Sequence, residues 1–207
     1  MSMLQMLVGD ISSFSYLSYT QLKNKDQKTL LHIAAEDNNI HYVQFLLEHG
    51  VDEIVNAKDK QGNTPFYLAA KIQSMTYFSE RRSEINYEIL KLLFNHGAQL
   101  EQHPEECITF LKHAWFKKDF ETASKWISNY FYLKNQHGNT VLHWAAEYGD
   151  KKLAEMLLKQ GASAAIQDFS GKTAWHHAAI YKDLEMLKLL VQYNDANNAR
   201  KDDENIT

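Results

Sequence analysis

Five times along this chain a threonine opens a short run that ends in small residues. The cleanest run is Thr140-Val141-Leu142-His143-Trp144-Ala145-Ala146. Thr29-Leu30-Leu31-His32-Ile33-Ala34-Ala35, Thr64-Pro65-Phe66-Tyr67-Leu68-Ala69-Ala70 and Thr173-Ala174-Trp175-His176-His177-Ala178-Ala179 repeat it. Thr109-Phe110-Leu111-Lys112-His113-Ala114-Trp115 is its most altered form. Thr140 and Thr173 stand 33 positions apart. A unit of that size cannot bury an apolar face alone, so each neighbour must supply the opposite wall.

Within each unit the pattern reads as two helices. The paired alanines of the first let helices approach closely. The second carries apolar residues at helical spacing, as in Val43, Leu46 and Leu47 or Met156, Leu157 and Leu158. Gly50, Gly97 and Gly161 supply the left-handed residue that ends such a helix. Asp59-Lys60-Gln61-Gly62-Asn63 is a tight-turn signature, and Pro65 suits a first helical turn.

The Thr-x-Leu-His-x-Ala-Ala run resembles the hallmark of the ankyrin repeat. The resemblance implies an all-α solenoid of stacked helix-turn-helix units with short β-hairpin fingers. It places five repeats over 24–199, at about 24–58, 59–103, 104–134, 135–167 and 168–199. Residues 1–23 are expected as a helical cap, built from Met3–Val8 and Ile11–Leu17. Residues 200–207 are expected as a polar tail or the start of a sixth repeat, since Lys201–Thr207 parallels Lys58–Thr64. By the same resemblance His32, His143 and His176 are structural, bonding nearby backbone and the threonine hydroxyl.

Two units depart from the pattern. Repeat two carries an insert of about twelve residues within 71–86, with Ser83 and Glu84 expected to start its second helix. Repeat three has Lys112 for the histidine, Trp115 for an alanine and Tyr130 for the stop glycine. Asn129 is expected to take over the stop. Cys107 is expected where the finger glycine turns.

Composition narrows the function. The net charge of −4 offers no strong pull on nucleic acid, in spite of Arg81-Arg82. Cys107 is the single cysteine, which points to a reducing compartment and a cytoplasmic location. No apolar stretch reaches membrane-spanning length. Cys107 and His113 are the one pair suggestive of nucleophilic chemistry, and nothing near them in sequence resembles an oxyanion hole. No cofactor or metal site is expected, and the chain is expected to be a monomer and not an enzyme.

The resemblance implies a binding surface made of the fingers and the outer ends of the first helices. Mapped onto this chain, that surface holds Phe116, Lys117, Gln136, His137, Asn139, Glu147, Tyr148, Phe169, Lys172, Ile180 and Tyr181. A competing site lies on the insert, at Met75, Tyr77, Phe78, Arg81 and Arg82. The expected function is non-catalytic protein–protein interaction through the concave surface. The alternative is a targeting domain of a larger enzyme or secreted bacterial effector acting in the host cytosol, an origin that the lysine- and asparagine-rich composition allows.

Overall fold

A computed structural model describes residues 22–49, 54–75 and 80–204, with side chains except at 72–85 and 195–204. The expected N-terminal cap therefore lies outside the described residues, apart from residues 22 and 23. Among the described residues ten helices follow one another: α1 (Leu30–Glu36), α2 (Ile40–Glu48), α3 (Pro65–Met75), α4 (Glu80–Asn95), α5 (Pro104–Phe116), α6 (Phe120–Tyr130), α7 (Val141–Tyr148), α8 (Lys151–Lys159), α9 (Ala174–Ile180) and α10 (Leu184–Glu204). They form two compact units, residues 1–99 and 100–207.

In the first unit α1 packs on α3 and α2 on α4. Leu31, Ala34, Ala35, Val43, Ala69, Ile89 and Leu93 are fully buried there. In the second, α7 packs on α9, and α8 lies against both α6 and α10. Its core includes Phe110, Leu111, Trp126, Leu142, Ala145, Leu153, Leu157 and Leu190. Each fully buried leucine stabilises by roughly 1.5–3 kcal/mol. The alanines keep the short first helices close.

The fingers share one turn. Its first residue, Asn24, Asp59, Asn135 or Asp168, accepts two backbone N–H bonds through Oδ1. Asp59 takes those of Gln61 and Asn63, both at 2.9 Å. Asp168 takes those of Ser170 and Lys172 at 2.8 and 2.9 Å. Asn24 and Asn135 repeat the pattern. The fourth residue is left-handed, with Gly62, Gly138 and Gly171 at φ 85°, 80° and 76°, and Gln27 at 61°. Extended pairing is slight: among the described residues it is one antiparallel bridge, Lys23 to Thr29.

Each threonine–histidine pair caps a first helix. Nδ1 of His32 accepts the Thr29 backbone N–H at 3.1 Å and lies 2.8 Å from its hydroxyl. Nδ1 is thus an acceptor, so the proton sits on Nε2. Nε2 donates to the Asn63 carbonyl of the next finger at 3.0 Å. His143 does the same between Thr140 and the Lys172 carbonyl. His176 keeps the Thr173 half of the arrangement but is solvent-exposed.

Several sequence expectations are corrected. Helix α5 begins at Pro104, so Thr109 lies inside it and no finger forms ahead of repeat three. Proline at the first position and Glu105 and Glu106 in the first turn favour this earlier start. Cys107 is accordingly helical and buried, not a turn residue. Asn129 does not stop α6; it is helical, and its Nδ2 donates to the Lys125 carbonyl. Ser83 is inside α4 rather than at its start. Residues 201–204 continue α10 instead of turning into a finger.

Candidate protein-binding surface

In unit two the outer end of each first helix is set by a left-handed residue. Lys118, Gly149 and Lys182 have φ of 59°, 68° and 58°. Each is followed by an aspartate, Asp119, Asp150 or Asp183, whose side chain accepts a backbone N–H of the next helix. This tight reversal leaves the last helical residues outside the packing. Phe116 is 70% exposed, Tyr148 67%, Ile180 55% and Tyr181 56%.

These residues are not scattered. Phe116 meets Trp144 edge-on at 5.9 Å between ring centroids, and Trp144 meets Tyr148 at 5.6 Å. The Tyr181 hydroxyl donates to Glu147 at 3.0 Å, joining the ends of α7 and α9. That carboxylate contact holds the Tyr181 phenol above its ordinary range. Lys117, at the C-cap of α5, is exposed beside Phe116.

The finger residues flank the same side of unit two. Gln136 and His137 are exposed, and Asn139 is half-buried. Phe169, at the tip of the last finger, is 77% exposed. Its N–H donates to the His137 carbonyl at 3.0 Å, so two fingers are tied together. Lys172 is exposed, while its carbonyl holds His143. Below the tip, His177 Nε2 lies 3.2 Å from Asp168 Oδ2. Partial burial works against ionising Asp168, but the backbone N–H of Lys172 and then the His177 ring outweigh it, holding the carboxyl at about 2.

Between finger and helix lies a pocket of about 90 Å³, lined among others by Ile108, Lys112, Asn139, Trp144, Glu147 and Tyr148. Ile108 and Lys112 were not on the expected surface. Lys112 was marked in the sequence only as a lysine where the other runs carry histidine or tyrosine, and nothing marked Ile108. Lys112 places Nζ 5.4 Å from the centre of the Trp144 ring.

Cys107 is no poised nucleophile. It is fully buried, and its thiol donates to the Leu100 carbonyl. Burial, reinforced by Glu106 and Glu101, pushes the thiol far above its usual range. His113 Nδ1 is engaged by the Thr109 carbonyl at 2.8 Å. Of the competing site, Tyr77 and Phe78 lie outside the described residues, as do the side chains of Met75, Arg81 and Arg82. Among the described residues no helix is long and apolar enough to cross a membrane.

Comparison with known proteins accords with this architecture. The family model for ankyrin repeats, in three copies, matches residues 2–104 and 86–202. A homolog of transient receptor potential cation channel subfamily A member 1 from Caenorhabditis elegans is 28% identical over 159 residues, covering 76% of this chain and 12% of that protein. A putative ankyrin repeat protein of Acanthamoeba polyphaga mimivirus is 25% identical over 193 residues, covering 88% of this chain and 23% of that protein. The chain thus spans less than a quarter of either relative. The crystal structure of an ankyrin repeat domain from Acinetobacter baumannii aligns with a TM-score of 0.59 at 27% identity, covering 92% of both chains. With its recurring threonine–histidine caps, its finger turns and a family match along nearly its whole length, this chain belongs to the ankyrin repeat family of protein–protein interaction modules, whose fold is generally non-catalytic.

Proposed function

We propose that the chain binds a partner protein across the finger and first-helix side of unit two. The observation that carries this reading is the exposure of Phe116, Tyr148, Phe169, Ile180 and Tyr181, each more than half accessible, on adjoining fingers and helix ends. Water gains when such residues are covered, and rigid aromatic rings lose little side-chain entropy on binding. Lys117, Gln136, His137, Asn139, Glu147 and Lys172 supply the polar rim around them. The partner is a protein rather than nucleic acid, since the net charge is −4.

The test is a binding measurement with a partner recovered on the intact chain. Tyr148→Ala with Tyr181→Ala weakens binding at least about tenfold, with little change in melting temperature. Normal binding by that variant, with loss on Phe78→Ala plus Arg82→Ala, moves the site to the insert. A second reading, a targeting module within a larger protein, is favoured by one observation: the matched relatives are several times longer than the matched segment. In that reading the same surface selects the partner that the larger protein acts upon.

A further inference from the structure

The two fingers of unit one share the turn of those in unit two but carry different tips. Asn24 and Asp59 are the first residues of their turns. Lys23 and Lys58 precede them, Lys25 and Lys60 follow them, and all four lysines are exposed. In unit two the positions of Lys25 and Lys60 hold Gln136 and Phe169. Among the described residues none of the four ammonium groups has a carboxylate partner. Asp59 is 7% exposed and turns both oxygens onto N–H groups of Gln61 and Asn63. Glu36 is taken by a fifth lysine, Lys28. Asp26 is the one exposed acid among the described residues of these fingers.

The tips are held side by side. The Lys60 N–H donates to the Asp26 carbonyl at 2.8 Å, so the backbones that carry Lys25 and Lys60 adjoin. Oδ1 of Asn24 fixes the first tip by accepting the N–H groups of Asp26 and Lys28 at 2.9 and 3.0 Å. Like charges mounted this closely repel, and an anion laid across them relieves the repulsion.

The surroundings narrow the anion. Neither finger carries an arginine, whose planar fork grips phosphate with two bonds. The tip residues Lys25, Asp26, Gln27, Lys60 and Gln61 include no apolar side chain to enter a membrane. A net charge of −4 works against a long polyanion such as nucleic acid. A short acidic peptide suits the tips. Carboxylates match the point charges of lysine, and an extended chain rises about 3.3 Å per residue, so a few residues cross both fingers.

We propose that the fingers of unit one bind a short acidic segment of a partner protein, its Asp and Glu side chains paired with Lys25 and Lys60, with Lys23 and Lys58 adding to the attraction. This surface uses none of the residues assigned to unit two.

The experiment is fluorescence anisotropy of a labelled hexaglutamate peptide on the intact chain at about 50 mM salt. Saturable binding is expected, and raising salt to about 500 mM should abolish it. Lys25→Glu with Lys60→Glu weakens it about tenfold or more, and Lys25→Gln with Lys60→Gln about threefold. Lys151→Glu with Lys152→Glu, an exposed pair on α8, changes it less than about twofold. Should the first variant unfold, the glutamine pair carries the test. No saturable binding, equal binding of hexaglutamine, or equal loss on the two glutamate-substituted pairs overturns the proposal. Tighter binding of a single-stranded oligonucleotide or of phosphatidylserine vesicles overturns it in favour of that ligand. Tyr148→Ala with Tyr181→Ala leaves hexaglutamate binding unchanged; a loss there overturns the assignment to unit one.

Discussion

Nε2 of His143 donates to the carbonyl of Lys172 across 3.2 Å, joining the cap of one helix to the finger of the next repeat. His143 is 1% exposed, and its other nitrogen is committed to Thr140. His176 has the same Thr173 contacts but stands in solvent. The two residues separate capping from stacking. His143→Ala removes a cap, takes from the Lys172 carbonyl one of its two donors, the other being the Asp168 N–H, and opens buried volume, at about 2–4 kcal/mol. His176→Ala removes only the cap, at about 1 kcal/mol. Urea unfolding of the two variants checks the difference; equal losses would show that the inter-repeat bond contributes nothing.

The two buried cap histidines, His32 and His143, set an acid response. Burial is the largest influence on His32 and His143, and it lowers both below the ordinary imidazole value of 6.5. The unfolded chain therefore binds protons more readily than the folded one as pH drops through that value. Stability from these sites is complete above the unfolded pKa and is lost as pH falls toward the folded one. Protonation of Nδ1 also sets an N–H against the threonine N–H. Denaturation midpoints are expected to be lower at about pH 5.5 than at about pH 7.5, and His143→Gln should flatten part of that difference. Asp168 adds a more acidic window. Its depressed carboxyl contributes above its unfolded value of 3.8, and this is lost as pH falls toward about 2.

Much of this was legible in residue order. Thr140 and His143 are three apart, which is the spacing a helix cap needs, and the alanines that follow can only serve close packing. The exposure of the helix ends was legible as positions, because the residues preceding Lys118, Gly149 and Lys182 must project where the chain reverses. Thr109 misled, because it matches the other threonines while Pro104, Glu105 and Glu106 start the helix five residues earlier. That signal was present and local. The pocket was not legible. It brings Asn139 and Tyr148 together with Ile108 and Lys112 from a different helix, a meeting that no local spacing announces.

Cys107 is expected to report on the opening of unit two. Its thiol is buried, raised well above its usual range by that burial, and bonded to Leu100. Thiolate is the reactive form, so a folded chain should resist iodoacetamide and react only as fast as α5 opens. Cys107→Ser puts a hydroxyl donor to Leu100 in place of the thiol and should cost less than about 2 kcal/mol. Rapid alkylation of the folded protein would contradict the buried, helical placement.

The last expectation concerns two glycines in equivalent finger positions. Gly138 and Gly171 both hold a left-handed backbone, at φ 80° and 76°. Alanine at either site meets the same conformational penalty, about 1–2 kcal/mol. Their surroundings differ. A methyl on Gly171 meets nothing within 4 Å. A methyl on Gly138 comes within 2.8 Å of the Phe169 backbone nitrogen and 2.7 Å of its ring. The backbone nitrogen cannot swing aside as a side chain would, because its N–H is held by His137. Gly138→Ala must therefore push the two fingers apart or break that bond. It should cost at least about 1 kcal/mol more than Gly171→Ala and should also weaken partner binding by displacing Phe169. Thermal unfolding gives the first comparison and binding to the recovered partner the second. Equal stability of the two variants would mean that the fingers are not held together as Phe169 and His137 place them.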